Sequence, residues 1–381
     1  MNQCSSKILM LTTEYPPHVW GGIGTHVFHL TNELAHHGIT GTVLTLPYKE
    51  GDCQGSPGFT IARPLSPDPA YFSSTYEWII NVNLAWIRYL TALQGGFQAV
   101  HAHDWLTAGA ALYVQNSIGL PLIATIHSLE TGRKRKLKTH SEKLIHSMEK
   151  KLIEKADSLI VCSDYMKQEL LTLGAEARKI TVIPNGVSPF LSRAVAPALQ
   201  APYLMAMGRF VPEKGFQDLL KAFARMKHKL PGYKLVLAGE GPCKPLYQKL
   251  AEDLKIQDDV IFPGFMKGEA LNRYIHHAAI TCVPSTYEPF GIAALEFMAA
   301  GKPMVVSDAG GLPEAAEDGK TGLIYKRGEV EQLASAILTL AYDQKKAAAL
   351  GTGARAASEA FSWMGVAQKT SDLYKRLLHS W

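Results

Sequence analysis

Apolar residues fall into short unbroken runs, separated by longer stretches in which they recur every three or four positions. KILMLTT (7–13), GTVLTL (41–46), AVHA (99–102), LIATIH (122–127), SLIVCS (158–163) and ITVIP (180–184) read as strands. Between them, residues 25–37 set Val27, Leu30 and Leu34 on one helical face, and 76–93, 107–115 and 140–155 repeat helical spacing. Strand–helix alternation of this kind predicts a parallel, doubly wound sheet.

The pattern breaks over 185–202, where Asn185, Gly186, Pro189, Pro197 and Pro202 interrupt any period and suggest a linker. Alternation restarts at YLMAMG (203–208) and continues through KLVLAG (234–239), VIFPG (260–264), ITCVPS (280–285) and PMVVS (303–307). From 330 to 381 the chain reads as helical, ending in an apolar stripe of Trp363, Leu373, Leu377 and Leu378. The expectation is α/β: two Rossmann-like doubly wound domains facing across a cleft, over 1–190 and 191–360, with a final helix at 361–381. Ligands of such sheets bind beyond the carboxyl ends of the strands, so the loops after strands are where chemistry is sought.

At 381 residues the chain is long enough for two cores, and 47% hydrophobic with 19% charged residues excludes global disorder. The five cysteines, Cys4, Cys53, Cys162, Cys243 and Cys282, include no C-x-x-C pair, which argues against a disulfide framework or a zinc knuckle and for a reducing compartment. The apolar run Ile8 to Leu11 is too short for an export signal, and nothing approaches the ~20 apolar residues of a membrane span, so a cytoplasmic protein is expected. A net charge of +5 is too mild to suggest nucleic acid. It is unevenly spread: residues 133–155 hold nine Lys/Arg against three Glu, beside an apolar stripe of Leu137, Leu144, Met148 and Leu152. Such a helix is either a solvated face or a peripheral contact for an anionic membrane at its inner surface.

Five strand-end segments carry candidate chemistry. In TTEYPPHVWGGIGTH, Gly21, Gly22 and Gly24 precede a helix expected near Thr25, where bare amides suit an anion; a loop turning on its glycines fits equally. In VHAHDWLTA, Asp104 is a plausible helix cap or a substrate contact, and the H-x-H pair His101/His103 lacks a third metal ligand nearby in sequence, so no metal is expected. His127 closes a strand and is placed to orient a polar substrate. MGRFVPEKGF sets Arg209 and Lys214 either side of a turn, suited to a diphosphate, and AGEGP adds Gly239 and Gly241 without the third glycine of a dinucleotide fingerprint. In PSTYEPFGIAALEFMAAGKPMVVSDAGGLPE, Glu288 precedes a helix expected near Ile292, Glu296 lies on it, and the amides of Phe290, Gly291, Ile292 and Ala293 would be free for oxygens.

In this order the GGIG loop, TIHS, VIPNGV, GRFVPEKG, AGEGP and the paired-glutamate string resemble glycosyltransferase family 4, with its GT-B architecture, over nearly the whole chain. The resemblance implies retaining transfer of a hexosyl unit from a nucleoside-diphosphate sugar (UDP- or ADP-sugar) to a carbohydrate, lipid or small-molecule hydroxyl acceptor, without metal or resident cofactor. It implies that Arg209 and Lys214 grip the diphosphate, that Glu288 and the amides around Phe290 to Ala293 hold sugar hydroxyls and phosphate, and that Glu296 takes the ribose. It sets His127 over the sugar, Gly22 and Gly24 at the phosphates, Phe265 and Met266 at the base, and the last helix back on the first domain. His103, Asp104 and Arg133 are the acceptor-side candidates. HAHDW and the early loop are also similar to glycogen and starch synthases, although Trp20 stands where those enzymes usually carry Lys, making an α-glucan synthase the first alternative. A nucleotide-sugar 2-epimerase and a non-catalytic sugar-nucleotide-binding protein are the others.

Overall fold

The computed structural model describes residues 6–19, 21–48, 55–93, 95–134, 136–189 and 199–381. Trp20, Cys4, Cys53 and the domain boundary expected at 190/191 lie outside the described residues. The chain forms two compact units, 1–185 together with 363–381, and 186–362.

The first unit is built on strands β1 (Ser6–Leu11), β2 (Ile39–Leu44), β3 (Phe59–Ala62), β4 (Ala99–His103), β5 (Leu122–Ile126), β6 (Ser158–Val161) and β7 (Ile180–Val182). They form one sheet in the order β3-β2-β1-β4-β5-β6-β7, with every neighbour parallel. The chain steps outward from β1 to β3, then returns to the other side of β1 at β4, so the order reverses between β1 and β4. That reversal opens a crevice at the carboxyl ends of those two strands. Register is tight here. Gly41 pairs with Ile8, and a Cβ at Gly41 would lie 1.9 Å from the Ile8 carbonyl oxygen, so only glycine fits. The edge strand β3 is short and only partly buried, so it shows no unbroken apolar run in the sequence.

The helix Gly22–His36 buries Val27, Leu30 and Leu34 against Ile8, Met10 and Val43. It begins three residues earlier than its pattern suggests, so Gly22 and Gly24 sit in its first turn instead of in a loop before it. Glycine at position 24 is favoured by packing: a Cβ there would lie 3.0 Å from both Glu14 Cβ and Val19 Cγ2. The basic helix His140–Lys155 starts with a capping box, in which Thr139 Oγ1 accepts from the Glu142 amide and Glu142 Oε2 accepts from the Thr139 amide. Its apolar side is turned inward, with Ile145, Leu152 and Ile153 buried and Leu144 and Met148 half-buried. The last helix, Trp363–Ser380, belongs to this unit. Trp363 stacks on His29 with centroids 5.0 Å apart, and the Tyr374 hydroxyl lies 2.6 Å from His101 Nδ1.

The second unit repeats the plan with β8 (Tyr203–Met207), β9 (Lys234–Ala238), β10 (Val260–Gly264), β11 (Ile280–Val283), β12 (Met304–Ser307) and β13 (Leu323–Tyr325). Their order is β10-β9-β8-β11-β12-β13, all parallel, with the reversal between β8 and β11. Leu219, Leu220 and Phe223 of the helix Phe216–Met226 share one core with Leu333 and Ile337 of the helix Val330–Tyr342 and with the strands beneath. Among the described residues no helix is long and apolar enough to cross a membrane.

Replacing Gly41 by alanine drives a methyl group into the Ile8 carbonyl. The Gly41→Ala variant is expected to lose at least ~2 kcal/mol of stability, read as a lower midpoint for the first unit's transition in urea unfolding followed by circular dichroism. A midpoint equal to that of the parent chain refutes the close approach.

Candidate functional site

In the second unit, three loops meet at the strand reversal. The loop after β8 lies against the loop after β9: a Cβ on Gly239 would sit 1.9 Å from the Gly208 carbonyl oxygen, one on Gly241 2.6 Å from that of Phe210, and the Phe210 amide donates to the Glu240 carbonyl at 2.8 Å. Gly239 and Gly241, singled out as donor-binding, are therefore required by neighbouring backbone. The loop after β8 also presses on the loop after β11. Gly215 has φ 69°, a Cβ there would lie 1.9 Å from the Pro284 carbonyl oxygen, and the Thr286 amide donates to the Glu213 carbonyl at 2.8 Å.

This contact brings Lys214 and Glu288 together, with Nζ 2.6 Å from Oε2, while Ser285 Oγ donates to the same oxygen at 3.1 Å. Glu288 is only 6% exposed, so its charge needs the ammonium. Lys214 is thus held at the strand ends by a carboxylate. Arg209 is exposed, and among the described residues its side chain makes no ion pair or hydrogen bond.

Gly291, with φ 108°, caps the helix Ile292–Ala299, which has no side-chain cap. The first helical amides, at Ile292 and Ala293, have no intrahelical acceptor and remain available to an anion. The Phe290 ring is buried against Phe361, so only its backbone faces this end. Glu296 lies one turn along, half-buried, and its carboxyl has no hydrogen-bond partner among the described residues; burial pushes it up to about 7. After β10, Phe265 is 57% exposed and Met266 half-buried.

In the first unit, the carboxyl ends of β4 and β5 and the helix after β1 bring several histidines together. His103 Nδ1 lies 3.0 Å from His127 Nε2. The His26 ring stands 4.9 Å from that of His127 and 5.7 Å from that of His103, and its Nδ1 bonds Asn185 Oδ1 at 2.8 Å. His101 is engaged at both nitrogens, by the Tyr374 hydroxyl and by Thr125 Oγ1 at 2.7 Å. Burial lowers His26 to about 4 and His101 to about 3, and holds His103 and His127 well below the usual imidazole range. These rings are neutral at pH 7.

Asp104 departs from its capping role. At φ 59° its side chain turns away from the following helix and accepts from the His127 amide at 2.6 Å and from that of Ser128. Burial raises its carboxyl to about 7 against the pull of Arg133 and those two amides. Arg133 is engaged in the same wall: its guanidinium bonds Glu130 Oε2 at 3.0 Å and Ser128 Oγ at 2.6 Å, and lies 3.8 Å from Glu149 Oε1. The helix amide at Gly21 is likewise filled, by Glu14 Oε2 at 2.9 Å.

His26, Asn185, Glu14 and Ser285 were not picked out from the sequence. The only available signal was position, since His26 and Glu14 flank the glycine loop and Asn185 and Ser285 follow strands.

Residues 20–189 match the family model for Glycosyltransferase Family 4, and 189–357 that for Glycosyl transferases group 1. The glycosyltransferase YqgM of Bacillus subtilis (strain 168) is 36% identical over 90% of this chain and 89% of its own length. A glycogen synthase of Mycobacterium tuberculosis is 34% identical over 97% of this chain and 94% of its own. Among solved structures, sucrose-phosphate synthase from Thermosynechococcus elongatus superposes with TM-score 0.86 at 25% identity, covering 99% of this chain and 100% of that one. Alr3699/HepE of Anabaena, solved in complex with UDP-glucose, superposes with TM-score 0.76 at 18% identity, over 97% of this chain and 99% of that one, and shares the fold.

Glu296, raised to about 7, binds its proton more tightly folded than unfolded, so its effect on stability is unfavourable above its unfolded value of 4.5 and grows up to about pH 7. Glu296→Gln is expected to stabilise the second unit by about 1–3 kcal/mol at pH 8 and by almost nothing near pH 4.5. Thermal melts at the two pH values check this, and a gain of equal size at both overturns it.

Proposed function

The chain belongs to the family 4 glycosyltransferases, with the GT-B fold, and from that premise we propose that it is a retaining enzyme that moves a hexosyl unit from a nucleoside-diphosphate sugar to a hydroxyl acceptor in the cytoplasm. The observation that carries the donor reading is Glu296: a half-buried carboxyl without a hydrogen-bond partner among the described residues, one turn into a helix whose amide end has no side-chain cap. A ribose diol supplies donors to such a carboxyl, and a phosphate supplies acceptors to the helix amides. The exposed Phe265 ring and its neighbour Met266 offer apolar surface for the base.

Bond cleavage at the anomeric carbon leaves negative charge on the departing diphosphate. Arg209, Lys214 and the helix amides are the groups proposed to stabilise that charge, and Lys214, already held by Glu288, needs little reorganisation to do so. When a phosphate arrives, Lys214 is shared between it and Glu288, and Glu288 can then accept from sugar hydroxyls. In the first unit, His127 is the proposed sugar-side group, Gly22 and Gly24 the proposed phosphate-side backbone, and His103, Asp104 and Arg133 the proposed acceptor-side support. The chemistry needs no metal: the acceptor attacks on the face the diphosphate leaves, and a departing phosphate oxygen takes the acceptor proton.

A second reading, an α-glucan synthase, is favoured by the 34% identity to a glycogen synthase along almost the whole chain. The basic helix is proposed as a peripheral contact with anionic membrane. Lys143, Lys150, Lys151 and Lys155 are exposed while its apolar residues face the core, so such a contact is electrostatic, without insertion.

Incubation with UDP- and ADP-sugars and a panel of glucans, sugar phosphates and lipid acceptors, following nucleoside diphosphate release, tests the proposal. Turnover with an unchanged anomeric configuration by NMR is expected, and Lys214→Ala is expected to lower kcat/KM by about 10²–10³. An inverted product, or no diphosphate release across the panel, refutes it. Glucan acceptors turning over fastest select the synthase reading. Vesicles containing phosphatidylserine are expected to co-sediment the protein at low salt and release it as salt rises; equal recovery on neutral vesicles rules out the membrane contact.

A further inference from the structure

The segment from His127 to Arg133 follows β5, and its backbone amides are held from two sides. Asp104 accepts from the amides of His127 and Ser128. Glu149, on the basic helix His140–Lys155, holds the other end: its Oε1 accepts from the Glu130 amide at 2.8 Å. That amide opens the short helix Glu130–Arg133, where a first-turn N–H has no intrahelical acceptor. In the sequence Glu149 is one of three glutamates among nine basic residues, on a helix whose polar side reads as solvated. The fold turns it inward, to 1% exposure.

Burying a carboxyl is unfavourable unless it is paired, and an apolar residue would fill this place at lower cost. What Glu149 supplies is one oxygen for the Glu130 amide and an acidic group 3.8 Å from Arg133 Nη2. We infer that Glu149 is a positioning residue for the acceptor: it fixes the His127–Arg133 segment and sets where the Arg133 guanidinium points. The inference rests on the reading of Arg133 as acceptor-side support.

Arg133 already bonds Glu130 Oε2 and Ser128 Oγ. With Glu149 as a neutral acid, the guanidinium stays with those two. When Glu149 ionises, a second carboxylate competes for the same cation, and the guanidinium is drawn toward Oε1. Burial raises Glu149 to about 8, so the neutral form prevails at pH 7. The charged and titratable groups that face it are Arg133, Glu130, Asp104 and, on its own helix, His146, whose Nδ1 lies 3.6 Å from Oε2. The helices Thr75–Ala92 and Ala108–Tyr113, the turn Trp105–Thr107 and β5 also pack on this helix and bury only uncharged residues.

Hydrogen–deuterium exchange of the full chain, without substrate, reads the positioning directly. Glu149→Ala is expected to speed exchange in peptides covering 127–133 about 10-fold, while peptides covering β6 keep the parent rate. Glu149→Gln keeps an accepting oxygen without charge and is expected to keep the protection. Circular dichroism establishes that each variant is folded. With the donor and the fastest acceptor of the panel above, Glu149→Ala is expected to raise the acceptor KM about 10-fold at pH 7 and to leave the donor KM unchanged. In the parent chain the acceptor KM is expected to rise as pH passes about 8, and Glu149→Gln to remove that rise. Asp104 is present in both, so the comparison isolates Glu149. Arg133→Ala separates the two readings. If it leaves the acceptor KM unchanged, the acceptor-side reading fails and the inference with it. If it raises the acceptor KM while folded Glu149→Ala does not, the inference alone fails. Unchanged exchange over 127–133 in folded Glu149→Ala also overturns it.

Discussion

A lysine ammonium 2.6 Å from a carboxylate that is only 6% exposed is the contact around which the second unit's site is organised. An ionised Glu288 cannot be left buried without a counter-charge. Its partner arrives from a different strand end, so the loop after β8 and the loop after β11 must meet. Gly215 permits the meeting, because any side chain there would strike the Pro284 carbonyl. Ser285 adds a hydroxyl to the same carboxylate oxygen, and the Gly311 amide donates to the Glu288 carbonyl at 2.9 Å. Three segments remote in sequence, around Lys214, Glu288 and Gly311, thus meet at one residue. The outcome is a cation fixed in position by Glu288, on the loop that leads to a helix end without a side-chain cap and to Glu296, whose carboxyl has no hydrogen-bond partner among the described residues.

The first unit follows a different electrostatic rule. Its strand ends carry imidazoles, and burial keeps them neutral, so they act as hydrogen-bonding groups without charge. The acidic side chains behind them, Asp104, Glu130 and Glu149, share one guanidinium, that of Arg133. Burial raises Glu149 to about 8 and Asp104 to about 7, so this wall retains protons that exposed carboxyls would release. Asp104 uses its unusual backbone conformation to hold the His127–Ser128 amides, which fixes where the His127 ring begins.

The fold class was legible because it rests on local periodicity. Runs of buried strand residues and the 3.6-residue recurrence in helices are properties of neighbours along the chain, and they marked most elements to within two or three residues. The edge strands β3 and β13 escaped because both are short and only partly buried, so neither shows as an unbroken apolar run. The glutamate string was legible for a related reason: Glu288, Gly291 and Glu296 lie within nine residues, so a strand, a turn and a helix start could be placed on them together.

What only the tertiary structure decided are the encounters between strand ends. His26 joins His103 and His127 because β1, β4 and β5 are adjacent, an order that no spacing in the chain encodes. Lys214 meets Glu288 across 74 residues, and Asp104 turns toward His127 instead of the helix that follows it. Gly24, Gly239 and Gly241 read as ligand-facing glycines, yet each is required where another part of the chain passes too close for a Cβ. Composition and periodicity set which elements form, because burial of apolar faces is decided within each element. The identity of a side chain's partner is decided by sheet order and register, which emerge only when all the elements pack together.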